Sequence, residues 1–145
     1  MRKIPTAKEL QEHIALAESA KASAALKAME EAEREKREML ERLAKPSGLS
    51  DDAILEKASA VVSRAVEAGL TSVQVFRFPH TICTDNGRAI NQAEPCWEST
   101  LTGVPKEIYD FWKRQLQARG YHIRYETIDY PGGMPGDIGV FLSWG

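Results

Sequence analysis

The sequence predicts an α+β protein: a long N-terminal helix followed by a small α-β-α-β-β head, with a three-stranded mixed sheet and two helices on one face. Three observations carry this reading. Residues 7–44 hold no Gly or Pro and are dominated by Ala, Glu, Lys, Arg and Leu, the strongest helix formers. Beyond Pro46, apolar residues recur with the period of a helix in some segments and of a strand in others. With 145 residues, 43% hydrophobic and 28% charged, the chain has apolar material for one modest core. The expected division is a polar helical arm over residues 1–46 and a globular head over residues 47–145.

The arm is expected to run about 38 residues, or roughly 57 Å at the α-helical rise. Thr6 and Glu9 have the spacing of a capping box. Glu30–Arg34, Glu33–Arg37, Glu38–Arg42 and Glu41–Lys45 are i,i+4 pairs in the favoured order. A break near Ser19 to Ser23 is the alternative to one continuous helix. Leu26, Met29, Leu40 and Leu43 mark two heptads, but Glu33 and Lys36 occupy the heptad between them. A strict coiled coil needs more sustained repeats than this. Three roles compete: a solvated arm, packing on another copy, or packing across the head. The small side chains from Ala15 to Ala28 favour contact with another copy.

Ser50, with Asp51 and Asp52 behind it, predicts the start of a second helix. Ile54, Ala58, Val61, Val62 and Ala65 lie on one helical face, and Gly69 ends the run. Thr71 to Phe78 predicts a strand. Val73, Val75, Phe76 and Phe78 do not alternate, which implies a strand partly buried on both sides. Residues 79–103 read as a long irregular loop, with one helical turn around Arg88 to Ala93. Ile82, Ile90, Trp97 and Leu101 in it are expected to pack on the head, with Trp97 as a lid and Asp85, Asn86, Asn91 and Thr102 supplying local turns.

Pro105 to Arg119 predicts a third helix, with Val104, Ile108, Phe111, Trp112, Gln115 and Leu116 on its stripe and Gly120 at its end. Tyr121, Ile123 and Tyr125 alternate with polar residues, as do Ile138, Val140, Leu142 and Trp144 with their neighbours. Residues 130–136 join these two strands as a Gly/Pro turn, which implies an antiparallel hairpin. The first strand is expected to lie parallel to its neighbour through a right-handed crossover. The second sheet face would then need a cover, or Phe76, Phe78 and Phe141 would be exposed.

Lys plus Arg is 19 and Asp plus Glu is 21, a formal net charge of −2. Up to Lys45 there are 10 basic and 9 acidic residues, and beyond it 9 and 12. Neither part has the basic excess that phosphate-backbone binding draws on, so no nucleic-acid partner is expected. No run of apolar residues is long enough for a membrane span, and none near Met1 resembles a secretory signal. The expected setting is cytoplasmic, with Cys83 and Cys96 as reduced thiols.

The candidate binding residues are His80, Cys83, Asp85, Arg88, Trp97 and His122. His80-x-x-Cys83 with Cys96 and His122 has the composition of a Cys2His2 zinc set, but only the first pair has ligand spacing. A thiol nucleophile on Cys83 or Cys96, with His80 or His122 as base and Asp85 or Asp129 behind it, is the catalytic alternative. Arg88 and Asp85, near Trp97, would fix a polar ligand or simply pair with each other. The Gly-rich segment 131–136 leads into a strand rather than a helix N-terminus, so no phosphate site is expected there. No cofactor fingerprint, metal motif or nucleophile elbow is present, and no catalytic residue, metal or cofactor is assigned.

The sequence therefore favours a non-enzymatic, self-associating interaction module. Its partners would be a second copy or another protein, met through the second sheet face or the 79–103 loop. The alternative is a small thiol- or metal-dependent enzyme or ligand-binding domain centred on that loop.

Overall fold

The computed structural model describes residues 4–145. Helix α1 runs from Ala7 to Leu43 without a break. Its start is a reciprocal capping box: the Glu9 N–H donates to the Thr6 hydroxyl oxygen, and the Thr6 N–H donates to the Glu9 carboxylate, both at 3.2 Å. The first compact unit ends at Met39, and the second extends from Leu40 to Gly145. The last turn of α1 therefore belongs with the head, where Leu40 and Leu43 pack against its core.

Helix α2 spans Asp51–Glu67, and the Ser50 hydroxyl accepts from the Ala53 N–H at 3.2 Å. Gly69 ends it at φ 78°, with the Leu70 N–H returning to Ala65 O and the Gly69 N–H to Val66 O. This is the doubled closure that a left-handed glycine permits. Strand β1 covers Ser72–Pro79, β2 His122–Thr127 and β3 Asp137–Ser143.

The sheet order is β1-β3-β2, and both pairings are antiparallel. This corrects the expected mixed sheet. β1 and β2 do run parallel to each other, but they are not neighbours, and β3 lies between them. The physical reason is burial. Ile138 and Val140 of β3 are fully buried, and the central position suits the most apolar strand because it is flanked on both edges.

A second correction concerns β1. Its register shifts between Gln74 and Phe76, leaving Val75 as the extra residue of a bulge. Val73, Phe76 and Phe78 then pair with Leu142, Val140 and Ile138, all on one face. The broken alternation of the sequence is thus one face interrupted by a bulge, not a strand buried on both sides. The other face carries Gln74, Arg77, Arg124, Glu126 and Phe141. Arg124 covers Phe141 at 4.6 Å from the ring centroid, and Arg77 bridges Asp129 and Asp137 at 2.9 and 2.7 Å. It is a polar, ion-paired surface and leaves neither Phe76 nor Phe78 exposed.

Helix α4 is α-helical over Gly103–Phe111, continues as a π-turn over Trp112–Leu116 and closes with a 3₁₀ turn at Gln117–Arg119. The Gln117 N–H reaches back five residues to Trp112 O. In a regular α-helix, Phe111 and Leu116 would point about 140° apart. The wider turn lets both join Leu142 in one buried cluster.

The 79–103 segment is ordered. It contains a 3₁₀ turn at His80–Ile82, the short helix α3 at Arg88–Asn91 and another 3₁₀ turn at Trp97–Thr100. Ile82, Ile90 and Leu101 are buried with Phe78, Tyr125, Ile138 and Val140. Thr102 anchors the far end by donating to Ile82 O at 2.6 Å.

Candidate functional site

Asp85, His80 and Arg88 of the 79–103 segment each have a partner in the fold. Asp85 accepts from the Gly87 N–H and the Ala89 N–H, both at 2.9 Å, so each carboxylate oxygen is used in starting α3. His80 Nδ1 lies 3.1 Å from Gly136 O. A carbonyl oxygen only accepts, so Nδ1 is the protonated nitrogen and ties this turn to the Gly/Pro turn. Arg88 pairs with Glu94 at 3.7 Å on the surface.

Cys83 is buried, and that burial pushes its thiol up to about 11, with Asp85 adding to the shift and a hydrogen bond with Thr100 opposing it. At neutral pH it is a protonated, enclosed thiol, the opposite of an activated nucleophile. Cys96 is exposed and free, in a left-handed backbone conformation at φ 62°.

Trp97 is half-buried rather than enclosed. Its ring centroid lies 5.0 Å from Tyr125 and 5.7 Å from Tyr109, within a run of aromatic contacts that reaches Trp112. Because Tyr125 points to the covered face of β2, Trp97 is on that side. His122 lies three positions earlier on the same strand, so it faces the opposite, polar side and is exposed. The six residues are therefore not brought to one point. Among the described residues, no three His, Cys, Asp or Glu side chains gather as metal ligands would.

An apolar concavity of the head lies elsewhere. Helices α2 and α4 stand over the same sheet face with a cavity of about 340 Å³ between them. Its interior is formed by Ile54 and Ala58 of α2, Phe76 of β1, Ile108 and Phe111 of α4, and Ile123 of β2. Ser47, Lys57 and Glu107 are the polar residues of its lining, and Ser47 and Lys57 are exposed, which sets them on its solvent side, at the mouth. Sequence reasoning missed it because both helices show regular apolar stripes. The available signal was Ala58, a small residue in the middle of the α2 stripe.

Comparison of the chain with protein-family models, curated proteins and solved structures yields no match. The reading of function therefore rests on geometry alone.

Beyond the head, the outstanding surface is α1. Residues 4–38 are exposed throughout, including Leu10, Ile14, Leu26 and Met29 at 49%, 56%, 57% and 62%. Leu10, Ile14, Ala17, Ala24 and Ala28 fall within one narrow stripe at the helical period. Among the described residues no helix is long and apolar enough to cross a membrane.

Proposed function

We propose that this protein is a non-enzymatic interaction module that self-associates through helix α1. The observation that carries this is a helix of 37 residues with no buried residue, although it bears a stripe running from Leu10 through Ile14 to Ala28. Helices in water draw most of their stability from packing an apolar face, and before its last turn this one has its apolar side chains in solvent. Small residues along the stripe allow a second helix to approach closely. Leu10 and Ile14 at one end supply the apolar area that alanines lack.

A cytoplasmic setting accompanies this reading, supported by two unpaired cysteines, one of them exposed. A nucleic-acid or membrane partner is not part of it, given the balanced charge of both halves.

Light scattering on the full chain over a range of concentrations tests the proposal. The expected mass is a multiple of the 16.2 kDa chain. Leu10→Glu with Ile14→Glu is expected to return it to a single chain while the head keeps its near-ultraviolet dichroism. A single-chain mass for the parent at every concentration overturns the proposal.

A further inference from the structure

We propose that the cavity between α2 and α4 binds a small amphipathic carboxylate, with the apolar tail inside and the carboxylate at Lys57. At about 30 Å³ per water-sized group, a cavity of 340 Å³ accommodates a tail of about ten carbons. That is the lower end of the range of ligand pockets and too small for a full-length lipid chain.

The lining sets the class of tail. Ile54, Phe76, Phe111, Ile123 and Leu142 present hydrocarbon and aromatic surface. Water inside such a space finds few hydrogen-bond partners and is readily displaced by an apolar group.

The mouth sets the head group. It carries one anion and one cation. The anion is already satisfied: Glu107 accepts from the Ser47 N–H and the Ser47 hydroxyl, both at 2.8 Å. Lys57 stands at the same mouth, next in sequence to Ala58 of the interior, and forms no ion pair among the described residues. An incoming carboxylate thus meets an unengaged ammonium, whereas an incoming amine meets a carboxylate whose oxygens are already hydrogen-bonded. The π-turn of α4 places Trp112 and Leu116 along the cavity. Such turns are frequent where helices border binding sites.

The test titrates decanoate, decanol and decylamine into the full-length chain, read by calorimetry and by tryptophan emission, to which Trp112 of the cavity wall contributes. Decanoate is expected to bind saturably and more tightly than the other two. Lys57→Glu is expected to weaken decanoate roughly fivefold, leave decanol unchanged and favour decylamine. Ala58→Leu, which extends a side chain into the space, is expected to weaken all three at least tenfold. If circular dichroism shows that Ala58→Leu does not fold, the Lys57→Glu comparison decides alone. Absence of saturable decanoate binding overturns the proposal, as does equal affinity for all three probes in the parent and Lys57→Glu proteins. A second copy as occupant would appear, in the Leu10→Glu, Ile14→Glu protein, as tryptophan emission that changes with protein concentration without ligand, and would overturn it too.

Discussion

The Tyr125 hydroxyl donates to Pro105 O at 2.7 Å, within the covered face of the sheet. This bond ties the middle of β2 to the first turn of α4, and Trp97 packs on the same Tyr125 ring. Burial holds the phenol well above its ordinary range, so it remains a neutral donor at any ordinary pH. Tyr125→Phe keeps the ring and removes the donor. The expected loss is about 1 kcal/mol, seen as a lower urea midpoint with an unchanged slope. An unchanged midpoint would contradict the assignment.

The two cysteines are expected to behave as opposites. Cys96 is exposed and Cys83 buried, so a thiol reagent at neutral pH should modify one cysteine per folded chain rapidly. Cys96→Ser should abolish that rapid phase, and Cys83→Ser should leave it intact. Equal rates at both thiols would sink the distinction.

The same burial has a consequence at alkaline pH. The folded chain keeps Cys83 protonated to about 11, whereas the unfolded chain ionises it near 9.0. Its contribution is therefore complete below the unfolded value and is lost as pH rises through the window between the two, by about 2 to 3 kcal/mol. Comparing the parent with Cys83→Ala across that window isolates the effect. The parent should lose stability more steeply than the variant, and parallel curves would refute the prediction.

Gly103 is expected to be intolerant of substitution. It sits at φ 56°, and a side chain there would run into the backbone of Leu43 and Ala44. Gly103→Ala should destabilise by about 2 kcal/mol or more, by combining left-handed strain with a backbone clash that no rotamer relieves. Gly69→Ala, also left-handed but in open space, should cost less. Thermal midpoints of the two variants rank them, and the reverse order would be incompatible with this geometry.

Trp97→Ala is expected to cost about 1 to 3 kcal/mol, below the full cost of emptying an enclosed tryptophan site, because one side of the ring remains in solvent. Chemical denaturation measures it. A loss above this range would mean the segment closes more tightly over the ring.

Local signals were legible in the sequence wherever the physics is local. Thr6, Ser50, Gly69 and Gly120 mark helix ends through hydrogen bonds spanning a few residues, and each has that role. The burial of Ile82, Ile90 and Leu101 also followed from their presence in an otherwise polar segment. Strand order did not follow, since it depends on how β1 and β2 share β3 across a long separation. Nor did the bulge at Val75, which resembles a strand with two apolar faces until its partner's register is known. His122 stands apart because it faces the opposite side of β2, and the polar side chains of the 79–103 segment are engaged in holding their own turns. Polar side chains in a loop are first taken up by the loop's own backbone, as Asp85 shows. The cavity went unread because the one signal, Ala58 in the α2 stripe, marks a small side chain without showing which element stands opposite it.

The central position of β3 has a consequence for how the chain acquires its fold. During synthesis β1 and β2 emerge first, and neither finds a strand partner in the other, because the space between them belongs to residues 137–143. Ser72 pairs with Ser143, about seventy residues later. The helices are able to form as they emerge, but the sheet cannot zip until the third strand arrives, and loop closure over that span makes the step slow. A nascent chain halted before Asp137 would therefore hold its helices and expose Phe76, Phe78 and Tyr125, making it a substrate for chaperones rather than a partly working head.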